Sequence, residues 1–215
     1  LVALGSGVSM GFLGNSHYGL EDVAVMRSIP GMTVVSPCDC VEVRKVIAAA
    51  LMYNSPMYIR LTGAVNAPVV HDIDYVFEFG KINRLREGDG SLCIIATGSG
   101  VAIALNSAEA LEELLGIKVT VLNCHTIKPL DENAIVSAIS SHKLSLTIEE
   151  HTIIGGLGSA IAELKADLDL PGSLMRIGIP DSYVSTGEYS YALEQSGLSR
   201  DMVTEKILEK LKTIL

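Results

Sequence analysis

The sequence predicts an α/β protein made of two three-layer α/β units, each built on a mostly parallel sheet. Short runs rich in β-branched residues alternate with segments of helical periodicity from residue 33 to the end of the chain. The strand-like runs are almost continuously apolar, which is typical of parallel strands covered by helices on both faces. The chain has 215 residues, of which 48% are hydrophobic and 19% charged, so it can bury a core and is too apolar to be disordered.

The first unit is predicted to span residues 1–72. The apolar run LVALGSG is typical of the end of a buried strand, and because the chain opens at Leu1 without a methionine we expect a fragment or a missing beginning. A short apolar helix then ends at Ile29-Pro30-Gly31, and TVVSP forms the next strand. The helix DCVEVRKVIAAALMYN follows, with Asp39 and Glu42 spaced as a capping box, and MYIRL is the last strand of the unit.

A stretch rich in Gly, Ala, Asn and Pro interrupts this rhythm between residues 62 and 80, which predicts a linker at 73–80 and a second unit at 81–215. In the second unit the predicted strands are SLCIIATG, IKVTVLNC, LSLTIEE and LMRIGIP. The predicted helices are SGVAIALNSAEALEELLG, LDENAIVSAISS, GLGSAIAELKADL and SRDMVTEKILEKLKTIL. Gly116 ends the first of these helices, and Asp131 caps the second.

Charge and cysteine usage argue against several classes of protein. The net charge of −9 and the pI near 5.0 disfavour binding to nucleic acid or to an anionic membrane, since phosphate contacts need clustered Lys and Arg. No apolar run reaches the roughly 18–20 residues that span a bilayer, and no signal peptide is recognisable, so we expect a cytoplasmic protein. The cysteines form no CxxC pair, which predicts buried free thiols and no shared metal: Cys38, Cys40, Cys93 and Cys124.

Glu149, Glu150 and His151 lie at the end of a predicted strand, which is where ligands bind in open α/β sheets. Adjacent residues of a strand point to opposite faces, so at most two of the three side chains can converge on a ligand. This pattern favours a structural or interface role over a catalytic one. Three other histidines have no metal-like partner two to four residues away and are predicted at the surface or in turns: His71, His125 and His142.

His17 stands in a different setting, after glycines and small polar residues that let the backbone approach a ligand closely. It also precedes a short helix whose free N–H groups could hold an anion. Two acidic residues in the first turn of that helix suit its dipole, so the local pattern leaves both a ligand contact and a structural role open. The residues of this pattern are Gly11, Gly14, Asn15, Ser16, His17, Glu21 and Asp22.

Taken together, the segment GFLGNSHYGLEDVAVMRSIPGMTVVSPCDCVEV resembles the pyrimidine-binding domain of the transketolase family of thiamine-diphosphate enzymes. The second unit resembles the C-terminal domain of the same family through ATGSGVAIALNSAEAL, GIKVTVLNCHTIKPLDE, TIEEHTIIGGLGSAIAEL and RIGIPDSYVSTGE. The positions that carry the first likeness are Gly11, Gly14, Ser16, His17, Glu21, Asp22, Met26, Arg27, Ile29, Pro30, Met32, Pro37 and Asp39.

The resemblance implies the C-terminal section of a transketolase, or the C-terminal subunit of a split one, which transfers a two-carbon ketol unit from a ketose to an aldose. It implies that His17 is catalytic and that Gly14, Asn15 and Ser16 bind substrate. Thiamine diphosphate and Mg²⁺ would be bound mainly by parts outside this chain, so the isolated chain is expected to be inactive. The implied partner is an N-terminal transketolase domain or subunit, in a homodimer or a heterotetramer.

Three departures from the family pattern bear on the substrate. Typical transketolases carry a histidine and an aspartate where this chain has Gly5 and Leu13, and a phosphate-binding arginine where it has Gly63, while Arg60 lies within the strand. A sugar phosphate loses a bidentate partner there. We therefore expect a less standard ketose or acceptor, such as a sugar linked to another carrier.

Three alternatives remain open at the level of sequence. The C-terminal domain of 1-deoxy-D-xylulose-5-phosphate synthase is very similar, although the missing arginine weakens that alternative. The beta subunit of the first component of a 2-oxo-acid dehydrogenase is weakened by the Ser16-His17 pair. The third is a non-catalytic dimerisation module in which EEHTIIGGLG serves an interface.

Overall fold

The computed structural model describes residues 1–214, which form two sheets flanked by helices. The strands of this described part are β1 (Val2–Leu4), β2 (Thr33–Val35), β3 (Met57–Leu61), β4 (Asn83–Arg86), β5 (Leu92–Ala96), β6 (Val119–Asn123), β7 (Thr126–Lys128), β8 (Leu144–Thr152) and β9 (Ser173–Ile179). The α-helices are α1 (Asp22–Ser28), α2 (Cys40–Ala50), α3 (Gly100–Leu115), α4 (Glu132–Ser141), α5 (Leu157–Asp167), α6 (Tyr189–Gln195) and α7 (Arg200–Lys212). Two short 3₁₀ helices, Gly11–Leu13 and Asn15–His17, precede α1.

The first sheet has the strand order β1-β3-β2-β7. Strands β1, β3 and β2 are parallel, with Val2 and Val35 both in register with Ile59, and β7 is antiparallel to β2. The second sheet has the order β4-β6-β5-β8-β9, in which only β4 among the described strands runs antiparallel. The predicted α/β class with mostly parallel sheets is confirmed.

The predicted caps at Asp39, Gly116 and Asp131 rest on local chemistry and are confirmed, whereas α2 ends at Ala50 and not at Asn54 as predicted. The Asp39 carboxylate accepts the N–H of Glu42 at 2.7 Å and so caps α2. The Glu42 carboxylate returns to the N–H of Cys38 rather than to that of the cap residue, so the capping box is shifted by one residue. Gly116 ends α3 with a φ of +67°, and Asp131 caps α4 through the N–H of Ala134.

The prediction that the opening run is a buried strand is wrong in part. Strand β1 forms, but Leu1, Val2 and Leu4 keep 73%, 61% and 71% of their surface exposed because β1 is the edge strand of its sheet. A run of apolar residues predicts a strand, but it does not show whether a neighbour covers the strand.

Two predictions about individual side chains also need correction. Cys38, Cys93 and Cys124 are buried free thiols as expected, but Cys40 is exposed because it begins α2 on the solvent side. His71 and His125 are buried rather than at the surface, since residues 70–79 fold back over the end of the second sheet. His142 lies partly buried in the turn after α4, as predicted.

The hydrophobic core runs between the two sheets. Val34 and Tyr58 of the first sheet share one cluster of buried residues with Ile95 and Leu122 of the second. Val8, from the loop after β1, belongs to the other large cluster, which is built around β5 and β8. The loops of the first sheet are therefore positioned by packing against the second.

Candidate active site

Residues 5–19 form a closed loop at the carboxyl end of β1. The N–H groups of Gly5 and Ser6 both donate to the carbonyl of Leu61 at the end of β3, at 3.0 and 3.1 Å. Gly7 and Gly19 exchange two backbone hydrogen bonds of 2.8 and 3.0 Å and so close the neck of the loop. Gly5 has a φ of +93° and Gly7 one of +60°, a region that glycine adopts without strain.

His17 lies at the tip of this loop, in the 3₁₀ helix Asn15–His17. Its side chain is exposed, and its Nδ1 atom is 2.9 Å from the Ser16 hydroxyl oxygen. Among residues 1–214, no group hydrogen bonds to the Nε2 atom of this exposed residue, so that atom is free to bind a ligand. The imidazole is thus oriented on one side and open on the other, as a ligand-binding histidine needs to be.

Gly14 fits closely against the second unit. It has a φ of +73°, and a Cβ atom there would clash with the hydroxyl of Thr186. Next to this contact, the N–H of Gly187 donates to the carbonyl of Gly11 at 3.1 Å, and the Tyr18 hydroxyl reaches the same carbonyl at 3.1 Å. The segment before α6 therefore braces the loop that carries His17. Sequence reasoning missed this brace because its partners lie about 170 residues away in the chain.

Glu150, in β8, holds the loop of residues 5–19 through a buried hydrogen bond. Its buried carboxylate accepts the N–H of Val8 at 2.8 Å, the Tyr189 hydroxyl at 2.7 Å and the Ser99 hydroxyl. Burial raises the pKa of Glu150, and the hydrogen bonds from Ser99 and Tyr189 oppose that rise. Glu150 thus links the loop to α3 and α6 and does not face the exposed imidazole of His17.

The first turn of α1 is held by a buried ion pair. Arg60 contacts Asp22 through Nε at 2.7 Å and through an amino group at 3.1 Å, and it also reaches the carbonyl oxygens of Gly19 and Glu150. Although burial opposes it, the Arg60 guanidinium holds the pKa of Asp22 below its usual value. Arg60 is therefore fully engaged in the fold, and its position does not replace a phosphate-binding arginine.

His151 lies at the N-terminal end of α1, whose free N–H groups were predicted to be able to hold an anion. Its Nδ1 atom lies 2.7 Å from the carbonyl oxygen of Thr152, and its Nε2 atom accepts the N–H of Ala24 in the first turn of α1. Burial, followed by the charge of Arg60, lowers its pKa to about 4. His151 is therefore neutral at pH 7. Because it accepts the N–H of Ala24, that N–H group is not free to bind an anion.

Glu149 caps α5 with both carboxylate oxygens, which accept the N–H groups of Leu157 and Gly158 at 2.7 and 2.8 Å. Burial raises its pKa to about 7 in spite of these two bonds. The three adjacent residues thus have three separate structural contacts. Glu149 caps α5, Glu150 holds the loop after β1, and His151 accepts an N–H group of α1. None of the three side chains lies at the exposed face of His17, so the predicted structural role fits the geometry.

Two of the three positions that depart from the family pattern, Gly5 and Gly63, contact the same side chain. A Cβ atom on Gly63 would lie 2.6 Å from the sulfur of Met10, and one on Gly5 would lie 3.1 Å from the Cγ of the same residue. Met10 therefore occupies the space between two positions that carry polar side chains in typical transketolases. Leu13 is 41% exposed at the loop tip, so the surroundings of His17 are more apolar than the family pattern predicts.

The residues of the loop do not fit a diphosphate group with its Mg²⁺ ion. Mg²⁺ needs carboxylate oxygens, and a diphosphate needs cations or helix N-termini. Residues 5–19 contain no Asp, Glu, Lys or Arg. The chemistry of this loop is therefore limited to what His17 and its neighbours can do for a sugar.

Two family models match the chain, the transketolase pyrimidine-binding domain over residues 1–64 and the transketolase C-terminal domain over residues 80–203. The chain is 37% identical over 213 residues to a putative transketolase C-terminal section of Methanocaldococcus jannaschii, covering 99% of this chain and 66% of that protein. It is 39% identical over 199 residues to a 6-deoxy-6-sulfo-D-fructose transketolase subunit of Clostridium sp., covering 93% and 61%. A split-gene transketolase described as an inactive beta4 tetramer superposes with a TM-score of 0.85 at 33% identity, covering 100% of this chain and 66% of that one.

The fold and the matched domains place the chain among the thiamine-diphosphate enzymes built from these two domains. The chain belongs to the transketolase family. It corresponds to a C-terminal part and spans about 66% of the length of the first relatives that it matches. In the described residues, 1–214, we find no helix long and apolar enough to cross a membrane.

Proposed function

We propose that this chain is the C-terminal part of a transketolase-like enzyme that moves a two-carbon ketol unit from a ketose to an aldose. The observation that carries the proposal is the exposed imidazole of His17 on a braced loop at the carboxyl ends of parallel strands, where α/β proteins bind ligands. In the complete enzyme, bound thiamine diphosphate supplies the carbanion chemistry that this chain lacks.

In this proposal His17 contacts the bound sugar through Nε2. Its ring orientation is set by the Ser16 hydroxyl at 2.9 Å from Nδ1, so Nε2 can hydrogen bond a sugar hydroxyl or carry a proton to or from it. Asn15 is exposed on the same turn and adds an amide that can bind a second hydroxyl. Gly14 contributes by letting the backbone turn toward the sugar with a positive φ.

Activity in this proposal requires an N-terminal transketolase domain or subunit that holds thiamine diphosphate and Mg²⁺, and the isolated chain is inactive. Support comes from the loop itself, which has no residue suited to that group, and from the chain's coverage of only part of its relatives. A beta4 tetramer of a related split-gene transketolase is described as inactive, which agrees with the proposal that this part of the enzyme needs a cofactor-binding partner. The working assembly is a homodimer or a heterotetramer in the cytoplasm.

The substrate in this proposal is not a standard sugar phosphate. Met10 fills the space beside Gly5 and Gly63, and Arg60 is held by Asp22, so this part of the chain offers no cation for a phosphate. A relative at 39% identity carries a name that specifies a sulfonated ketose, and one at 37% identity carries a name that specifies apulose 4-phosphate, so the names support an unusual donor or acceptor, with or without a phosphate.

The test is to reconstitute the chain with its cofactor-binding portion and to measure two-carbon transfer from a panel of ketoses to aldoses. We expect His17→Ala to lower kcat/KM by about 10²- to 10⁴-fold, the usual contribution of a proton-transferring side chain. Asn54→Ala, an exposed change four residues after the end of α2, is the matched control and should leave the rate unchanged.

Equal rates for wild type and His17→Ala would refute the catalytic role of His17. An assembled complex that transfers no two-carbon unit from any ketose would favour the non-catalytic module. Condensation of a 2-oxo acid with an aldehyde phosphate, with loss of carbon dioxide, would favour the deoxyxylulose-phosphate synthase alternative.

A further inference from the structure

A second cluster of reactive side chains shares no residue with the loop of His17 and lies where the two sheets meet the segment after β3. Cys38 follows β2, Glu42 lies in α2 and His71 lies in the segment that joins the two sheets. All three side chains are buried, and their ligand-type atoms, Sγ, a carboxylate oxygen and a ring nitrogen, lie within 4.8 Å of one another. Thiolate sulfur, imidazole nitrogen and carboxylate oxygen are the protein ligands of Zn²⁺.

Asn123 faces this cluster from the end of β6. Its Nδ2 atom lies 2.9 Å from Glu42 Oε1, 3.1 Å from His71 Nε2 and 3.6 Å from Cys38 Sγ. An amide group has two hydrogens, so it cannot donate to all three of these atoms, and the buried Oδ1 atom of Asn123 has no hydrogen-bond partner among the described residues. With the amide turned over, Oδ1 would face the other three atoms as a fourth ligand.

The negative charge of Glu42 has no basic side chain of full charge beside it. Glu42 is 0% exposed, and in the ion pairs of residues 1–214 its only partner is His71, at 3.5 Å. Burying an unpaired carboxylate is energetically unfavourable. A cation bound between the carboxylate, the thiol and the imidazole would offset this cost.

The ligand atoms are also oriented by neighbours, as they are in metal sites. The Tyr75 hydroxyl donates to Glu42 Oε1 at 2.9 Å, and the other oxygen of Glu42 accepts the N–H of Cys38 at 2.7 Å. The His71 ring stacks on the Tyr75 ring with centroids 3.8 Å apart. The backbone of His71 is fixed as well, because its N–H donates to the carboxylate of Asp39 at 2.7 Å.

We propose that Cys38, Glu42 and His71 bind one Zn²⁺ ion, with the carbonyl oxygen of Asn123 as the fourth ligand. A tetrahedral zinc site places its ligand atoms about 3.3–3.8 Å apart, and the three atoms here lie within 4.8 Å of one another, so the arrangement needs to contract by at most about 1–1.5 Å. Four protein ligands make a closed structural site. The ion would join three parts of the chain, namely the first sheet, the connecting segment and the second sheet.

The experiment uses the full chain, alone and in complex with its cofactor-binding portion, and Zn²⁺ and Co²⁺ as the probes. After removal of loosely bound metal, we expect about one zinc per chain by elemental analysis. Exchange for Co²⁺ should give the intense visible bands of a tetrahedral site and a thiolate-to-cobalt charge-transfer band. Cys38→Ser should abolish the charge-transfer band, whereas Cys40→Ser, an exposed thiol two residues away, should leave it unchanged.

Two further variants test the geometry. His71→Gln should remove zinc, whereas His142→Gln should retain it, because His142 bonds to Thr120 and Ala138 outside the cluster. Tyr75→Phe removes a supporting hydrogen bond and should weaken zinc binding by about 10- to 100-fold. If Cys38→Ser does not fold, the charge-transfer band of the wild-type cobalt form decides the question. Absence of bound zinc in the wild type, or a cobalt spectrum without thiolate ligation, would overturn the proposal.

Discussion

Glu149 and His151 are two residues apart in β8, yet their environments shift their pKa values in opposite directions. Burial raises the pKa of Glu149 from 4.5 to about 7, so its contribution to stability is complete below pH 4.5 and is lost as the pH rises through 7. Burial, then Arg60, lowers the pKa of His151 from 6.5 to about 4, so its contribution is complete above pH 6.5 and is lost as the pH falls through 4. Between these limits the two effects oppose each other.

Replacing Glu149 by Gln should therefore uncover the pH dependence of His151. Relative to wild type, the free energy of unfolding of Glu149→Gln should increase by about 3 kcal/mol, making the variant relatively more stable, as the pH rises from about 4 to 8, since one pKa unit corresponds to about 1.4 kcal/mol. A loss is superimposed, because one of the two carboxylate oxygens that accept Leu157 and Gly158 becomes an NH₂ group, which cannot accept a hydrogen bond. Urea unfolding at stepped pH measures the difference, and Glu113→Gln, an exposed change in α3, is the control. Parallel curves for wild type and Glu149→Gln would contradict the assigned pKa of Glu149.

At the scale of the element, α1 has only seven residues, too few for a stable helix in isolation, so tertiary bonds must hold it next to the loop of His17. The main bond is the pair between Arg60 in β3 and Asp22, with side-chain exposures of 3% and 19%. Arg60→Met leaves Asp22 without its partner, and we expect a loss of about 3–5 kcal/mol in the free energy of unfolding.

The matched control for Arg60→Met is Arg84→Met, which removes an ion pair with Glu87 on the surface, with side-chain exposures of 51% and 68%. That loss should be within about 1 kcal/mol, because water screens exposed pairs. Chemical denaturation of both variants gives the comparison. Equal losses for the two variants would mean that burial of the Arg60 pair does not govern the position of α1.

The elements differ in how far sequence could predict them. The caps at Asp39, Asp131 and Gly116 were predictable because their partners lie within four residues. Strands β4 and β7 were missed, since each has three or four residues and pairs antiparallel at a sheet edge, where no periodic pattern is needed. Likewise, the Glu150 support and the Met10 contacts depend on residues far apart in the chain, so the sequence pointed to His17 as a candidate but could not show which residues hold its loop in place.

At the scale of the whole molecule, the two sheets depend on each other. Strand β7 follows β6 of the second sheet but pairs with β2 of the first, and the N–H of Ser36 donates to the carbonyl of His125 at 2.8 Å. Gly98 lies against Ser36, with its N–H on the Ser36 carbonyl at 3.1 Å. The division at 73–80 that the sequence predicts stays a prediction, but a boundary there would separate residues that share hydrogen bonds and a core.

This continuity predicts that residues 1–215 unfold in one step. Separating the sheets would expose Val34 and Tyr58 on one side and Ile95 and Leu122 on the other, a cost of about 1.5–3 kcal/mol for each fully buried large apolar side chain. Calorimetry should therefore give a calorimetric enthalpy equal to the van't Hoff enthalpy. Residues 81–215 alone should bind a hydrophobic dye and lack dispersed methyl signals in NMR spectra, because the residues of the first sheet that cover their core are missing. Two resolved transitions, or a well-packed 81–215 with the melting temperature of the full chain, would show that the shared core is not what joins the units.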